Sequence, residues 1–209
     1  MAEPHEPDPP ESEVCQKSLG ELFHQHRGRL KLMVGLRLDH RLQGRVDPSD
    51  VLQEAYLEAM DRLPQYLQER PMPLFLWLRF LTAQRLQILH RRHLRTKSRE
   101  AGREVSLSHK PLPAVSSEAL AARLIGRDST PSEAAMRAET RAQLLAALDS
   151  LTPIDREILA MRHFEQLTNA ETAQVLGLRE STASQRYARA LLRLKDLLRT
   201  LPGFSQARS

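Results

Sequence analysis

An all-α chain of two helical domains joined by a flexible linker is the fold class this sequence predicts, and three observations predict it. Apolar residues recur at spacings of three and four along several long stretches, which is the signature of amphipathic helices. No stretch sustains the period-2 alternation of β-branched residues that a half-buried strand needs. Residues 96–131 are rich in Ser, Pro and Gly and poor in large apolar groups, so they read as a linker between two regions that can each bury a core. The length, 209 residues, accommodates two such units comfortably.

Residues 1–17 are acidic and Pro-rich, with a net charge of −4 and almost no large side chain to bury, and they read as a disordered tail. The first domain is expected over 18–95. Leu22, Phe23, His26, Leu30, Met33, Val34 and Leu38 share helical spacing, which gives one helix from Leu19 to Leu42. Asp47-Pro48-Ser49-Asp50 then supplies a capping acceptor, a proline at the first helical position and a carboxylate near the positive end of the helix dipole. A second helix follows to about Arg62. Pro71 and Pro73 leave Tyr66 to Pro73 as a loop. A third helix is expected from Leu74 to about Arg95, apolar in its first half and basic in its second.

Beyond the linker, which has a short helical stretch at Glu118 to Leu124, the second domain is expected over 132–200, with a tail at 201–209. Leu144, Leu145 and Leu148 give one helix, and Thr152-Pro153-Ile154-Asp155 opens another. Thr168-Asn169-Ala170-Glu171 is a capping box that starts a short helix ending at Gly177, and a last helix runs from about Ser181 to Arg199.

Composition excludes several classes. Cys15 is the single cysteine, so no internal disulfide can form, a zinc site lacks ligands, and a reducing cytoplasmic setting is expected. The longest apolar run, Leu74 to Leu78, is far short of the roughly 20 residues of a bilayer-spanning helix, so no membrane insertion is expected. The acidic start resembles no signal peptide and is expected to remain in the mature chain. No nucleophile–base pair, Gly-rich phosphate loop or metal cluster is present, so neither an enzyme nor a bound cofactor is expected, and His90 and His93 read as solvated or phosphate-contacting.

Charge is unevenly placed. The chain carries +5 overall, yet residues 85–110 alone carry +6. Residues 168–194 have the spacing of a helix-turn-helix: a capped short helix, the small Ala173 for a close crossing, Gly177 at the turn, Leu178 as a plug and a longer helix. On that longer helix Ala183, Tyr187, Ala190, Leu191, Leu194 and Leu198 form the inward stripe. Ser181, Ser184, Gln185, Arg189 and Arg193 face away, with Thr182 and Arg186 on the flank, and can reach base edges and phosphates in a major groove. Arg179 just before them joins this set. Packing without DNA is the plain alternative for any two helices joined by a glycine. Acidic residues avoid the middle of this helix, however, and a second basic helix lies elsewhere in the chain.

With these motifs in view, the chain resembles the bacterial RNA polymerase sigma factors of the extracytoplasmic-function group, in the sigma-70 superfamily. The resemblance is carried by Leu148 through Leu159, by Arg162-His163-Phe164-Glu165-Gln166-Leu167-Thr168, and by Glu171 through Leu178 with Thr182-Ala183-Ser184-Gln185-Arg186. In the first half it is carried by Asp47 through Leu57 and by Phe75-Leu76-Trp77-Leu78 through Ala83 to the arginine-rich end. The resemblance implies a region 2-like first domain and a region 4-like second one. Its implied partners are core RNA polymerase and promoter DNA, as duplex and as melted strand, with an anti-sigma factor as a regulator. The implied role is promoter-specific initiation, with the chemistry left to the polymerase. A stand-alone helix-turn-helix regulator is the alternative.

Roles follow residue by residue. Arg179, Ser181, Thr182, Ser184, Gln185, Arg186, Arg189 and Arg193 are expected on the minus-thirty-five duplex. Arg79, Gln84, Gln87, His90, Arg91, Arg92 and Arg95 are expected on the minus-ten element, and the loop Gln65 to Pro73 is expected to take a flipped base. Asp50, Gln53, Glu54, Leu57 and Asp61 are expected to dock core polymerase, with Leu57 as an apolar anchor inside a rim of acids. Trp77 and Phe80 read as core. The chain departs from the family where Arg179-Glu180 precede Ser181, which delays the expected start of the last helix by a residue or two. It departs again at Ser184 and Tyr187, so no promoter preference is implied.

Overall fold

A computed structural model describes residues 19–94, 113–125 and 134–199. Among these every regular element is helical. The tails, Cys15, Arg95 and most of the expected linker lie outside the described residues. The chain divides into two compact units, Met1–Ala114 and Val115–Ser209.

In the first unit α1 spans Leu19–Arg37, α2 Pro48–Glu69 and α3 Leu74–Leu94. α1 stops at Arg37, five residues before the expected end at Leu42. Residues 39–46 instead form tight turns, with Leu42 N–H donating to Asp39 O at 2.9 Å and Arg45 N–H to Leu42 O at 3.0 Å. Leu38 and Leu42 are still buried, which is why they kept the helical rhythm in the sequence. α2 begins as expected, with Ser49 N–H donating to Asp47 Oδ1 at 2.7 Å and Pro48 in the first turn. It runs past Arg62 to Glu69 with Pro64 inside the helix. Pro64 is exposed, so the carbonyl one turn earlier can be solvated, and the packing of Tyr66 holds the rest. The helix ends on Arg70, whose left-handed conformation (φ 37°) turns the chain.

The core of this unit is the first half of α3. Leu74, Phe75, Leu76, Trp77 and Leu78 are all buried, so this part of the helix is covered on every side. Tyr66 stacks on Trp77 with ring centroids 4.4 Å apart, and its hydroxyl donates to Met72 O at 3.0 Å. On the α1 side His26 lies against Phe75, and the Arg29 guanidinium sits 3.6 Å from the Phe75 ring centre, a cation–π contact. Farther along, Glu58 of α2 pairs with Arg85 of α3 and with Arg62 of its own helix.

In the second unit α4 spans Ser117–Ile125, α5 Ala134–Asp149, α6 Pro153–Leu159, α7 Asn169–Leu176 and α8 Glu180–Arg199. Residues 115–125, which fall inside the expected linker, pack on this unit. Val115 N–H donates to Glu157 Oε1 at 2.8 Å and Ser117 Oγ to Asp149 Oδ1 at 2.6 Å, while Leu120 and Ala121 are buried. Two apolar residues on one helical turn supplied too weak a pattern for the sequence to reveal this. α6 widens over Ala160–Phe164, where Glu165 N–H reaches Ala160 O at 3.0 Å, and the widened turn closes on Gln166 at φ 55°.

α7 and α8 cross where the sequence is small: Ala173 and Ala183 are 2% and 0% exposed. Gly177 ends α7 with φ 63°, a conformation that glycine enters without steric cost. Because nothing lies within 4 Å of a Cβ placed there, Gly177→Ala tests backbone strain alone. The expected loss is about 1 kcal/mol in the unfolding free energy of the full chain, measured by urea denaturation.

Candidate nucleic-acid interface

The helix-turn-helix is fixed at both ends of its turn. Thr168 and Glu171 form a reciprocal capping box: Thr168 N–H donates to Glu171 Oε2 at 2.6 Å and Glu171 N–H to Thr168 Oγ1 at 3.2 Å. Leu178 N–H donates to Ala173 O at 2.9 Å, and the Asn169 side chain donates to Glu180 O at 3.0 Å, tying the first turn of α7 to the first turn of α8. α8 starts at Glu180, with Ala183 N–H donating to Arg179 O at 3.0 Å, so the delayed start expected from Arg179-Glu180 does not occur. Its polar side chains therefore have a defined register.

Arg179, Ser181, Ser184, Gln185, Arg189 and Arg193 are exposed, and Thr182 is half-buried. Arg186 differs from them. Its guanidinium donates to Asp155 Oδ1 at 3.0 Å, which clamps α8 to the start of α6. Arg186, Arg189 and Arg193 line one cleft of about 270 Å³ with Leu151, Thr152, Asp155 and Ala190. The candidates thus fall into two strips: small polar groups at 181, 184 and 185, and arginines along the flank. Tyr187, on the inward stripe, is half-buried, and its hydroxyl lies 3.0 Å from His163 Nε2. Burial and the neighbouring Arg162 hold the His163 imidazole below its usual range.

In the first unit the expected minus-ten set is brought only partly onto one surface. Arg91 and Arg92 are exposed, and Gln84, Gln87 and His90 are half-buried. His90 Nε2 accepts from Asp39 N–H at 3.4 Å, a long contact, and burial lowers its pKa from the usual value. Arg79 is 3% exposed, so its expected outward position is wrong. It sits in the segment of α3 that is covered on every side, where no face is free. Phe80, read as core, is 46% exposed. Its phase was the available signal, because it shares a helical face with Gln84, Gln87 and Arg91. The expected base-capturing loop is also shorter than 65–73. Residues up to Glu69 are helical and Tyr66 is committed to Trp77, which leaves 70–73.

On α2, Asp50, Gln53, Glu54, Leu57 and Asp61 are all exposed, Leu57 at 64%. Leu57 also borders a groove of about 470 Å³ between α1 and α2, lined by Phe23, His24, Arg27, Leu52, Gln53 and Tyr56 among others. The contribution of α1 was invisible to a reading of one helix at a time. Met60, one turn on from Leu57, is exposed as well.

Among the described residues no group of His, Cys, Asp and Glu could hold a metal ion, and no helix is long and apolar enough to cross a membrane.

The capped helix pair, with polar groups facing outward from its second member, has the geometry of a helix-turn-helix. Residues 141–194 match the family described as Sigma-70, region 4. The RNA polymerase sigma-E factor of Streptomyces antibioticus is 40% identical over 60 residues, which are 29% of this chain and 33% of that protein. That of Streptomyces coelicolor (strain ATCC BAA-471 / A3(2) / M145) is 40% identical over 58 residues, 28% of this chain and 33% of that one. The chain therefore spans about a third of the length of the curated relatives it matches. The solved structure of CnrH in complex with the cytosolic domain of CnrY aligns with 90% of this chain and 92% of that one, at 19% identity and a TM-score of 0.49. The resemblance to bacterial sigma factors is borne out as a similarity: residues 141–194 match sigma-70 region 4, and the two Streptomyces sigma-E factors share 40% identity over 60 and 58 residues.

The lowered pKa of His163 predicts a pH dependence with a definite sign. The fold favours the neutral imidazole, so stability is full above the usual histidine pKa of about 6.5 and declines as the pH falls through and below it. His163→Gln is expected to flatten this decline, measured as the shift in urea midpoint between neutral and mildly acidic buffer.

Proposed function

We propose that this chain is a promoter-specificity subunit: it binds core RNA polymerase, reads minus-thirty-five duplex with α8, and holds the opened minus-ten strand with the first unit. The observation that carries the reading is the match of residues 141–194 to region 4, on a helix pair whose outward groups have a fixed register. Ser181, Thr182, Ser184 and Gln185 take the base edges. Arg179, Arg189 and Arg193 take phosphates or purine edges beside them. Arg186 positions α8 through Asp155 and offers DNA only its remaining donors.

The α2 face fits docking. Leu57 projects into solvent among Asp50, Gln53, Glu54 and Asp61, and a basic helical surface on the polymerase would meet both the anchor and the acids. Strand opening belongs to α3, where Gln84, Gln87, His90, Arg91 and Arg92, with Arg95 beyond, supply donors for exposed bases and phosphates. Arg79 supports this helix from inside. The polymerase carries out the chemistry, and an anti-sigma factor would act by covering these faces.

Three outcomes test the reading. Reconstitution with bacterial core polymerase is expected to give specific transcript starts, and none at any promoter would overturn it. Leu57→Arg is expected to abolish co-purification with core polymerase while the circular dichroism spectrum stays unchanged. Arg189→Ala is expected to weaken binding to a cognate minus-thirty-five duplex by about 1 to 3 kcal/mol if it contacts a base, with steep salt dependence throughout from counterion release.

A further inference from the structure

The groove between α1 and α2 has an aromatic floor and one basic wall. Phe23 and Tyr56 meet there edge to face, with ring centroids 5.2 Å apart and planes at 62°, and Leu52 and Leu57 extend the apolar surface. His24 and Arg27, both exposed, are the basic residues of its lining, and no Asp or Glu is among the described residues that line it. One turn beyond Arg27, Lys31 is engaged by Ser49 Oγ at 3.1 Å and by Asp47 at 3.9 Å. The α2 carboxylates Asp50 and Glu54 lie beyond Leu57, on the outer face of that helix.

The sequence immediately before α1 has the complementary pattern. Pro4, Pro7 and Pro10 recur every three residues, the repeat of a polyproline II helix, which would put all three on one ridge. Glu3 and Glu6 would fall on a second ridge, and Asp8 and Glu11 on the third. Such a helix rises about 9 Å per three residues, and α2 from Ser49 to Leu57 is about 12 Å long, so two successive prolines fit the groove. Pro10 lies nine residues before Leu19, a reach of up to about 30 Å, and the groove starts at Gly20 in the first turn of α1. Proline-rich segments dock aromatic-lined grooves because polyproline II is extended before it binds and needs little further ordering. A tethered segment also meets the groove at an effective concentration of order millimolar, an advantage that no free partner has.

We propose that residues 4–10 of this chain dock in the groove as a polyproline II strand, with prolines against Phe23 and Tyr56 and acids beside Arg27 and His24. Leu57 forms one edge of the groove, so the seated strand covers the apolar anchor of the α2 face and shields it from core polymerase. The shielding rests on the reading of that face as the polymerase-docking one, whereas the seat itself does not.

The test uses the full-length chain, a full-length variant combining Pro4→Ala, Pro7→Ala and Pro10→Ala, and a synthetic peptide of residues 1–17. The NMR signals of Phe23, Gln53 and Tyr56 are expected to differ between wild type and variant, equally at every chain concentration. The peptide is expected to move these signals in the variant and to need about 3- to 10-fold more to do so in the wild type, whose own tail competes. Arg27→Gln in the variant is expected to weaken the peptide about two- to fivefold, the strength of an exposed ion pair. Core polymerase is expected to bind the variant about 3- to 10-fold tighter than the wild type, as for a groove open in about a third to a tenth of wild-type molecules. Identical signals in wild type and variant overturn the proposal, as does equal binding of a peptide of the same composition with its prolines out of the three-residue period. A difference that grows with chain concentration puts the tail on a second copy and overturns the intrachain seat. Equal polymerase affinities overturn the shielding. If neither chain binds core polymerase, the specificity-subunit reading and the shielding fail together, and the NMR signals still decide the seat.

Discussion

Burial of the apolar first half of α3 is the constraint on which the first unit depends. Five consecutive large apolar residues, Leu74 to Leu78, cannot be served by a single core face, because consecutive side chains point around the whole circumference of a helix. Each is worth about 1.5 to 3 kcal/mol when removed from water, so α1 and α2 are drawn around this segment. Tyr66 then has to cap Trp77, and Arg29 has to lie over Phe75. Only after this wrapped segment does α3 present a free side, and Phe80 is where that side begins. The division between a half covered on every side and a half with a free side is a consequence of where the apolar run stops.

The second unit solves a different problem. A short helix must be held against a longer one at a fixed register, and the first is too short to be stable by itself. Caps, a left-handed glycine and two small residues at the crossing accomplish this. The Asn169 side chain on Glu180 O and the Arg186–Asp155 pair then bind α8 to the elements on either side. Such fixation leaves the outward groups of α8 with little further ordering to undergo when they meet a binding partner.

Arginine illustrates how composition divides between these roles. Arg37 is 2% exposed and donates to Met33 O, Arg156 donates to Leu148 O and Leu151 O, and Arg162 donates to Leu167 O. These side chains donate to carbonyls in the last turn of a helix or in the turns that follow it. Arg91, Arg92, Arg179, Arg189 and Arg193 remain exposed. An arginine-rich sequence thus says little about which arginines meet a polyanion, because the same fork serves carbonyls inside the protein and phosphates outside it.

Local signals that depend on a few neighbouring residues were legible without the structure. They include the cap at Asp47-Pro48, the capping box at Thr168–Glu171, the turn at Gly177, the exposed Leu57 among acids and the inward alanines of α8. Each is decided by backbone hydrogen bonding or helical phase, and both are written into short segments of sequence. Tertiary structure alone decided which sides of a helix were already taken. Arg79 and Phe80 are adjacent in sequence, and only the placement of α1 and α2 sends one inside and the other out. The continuation of α2 through Pro64, the docking of residues 115–125 on the second unit and the sharing of the Leu57 groove by α1 have the same origin. Burial is a relation between segments distant in sequence, and no single segment carries it.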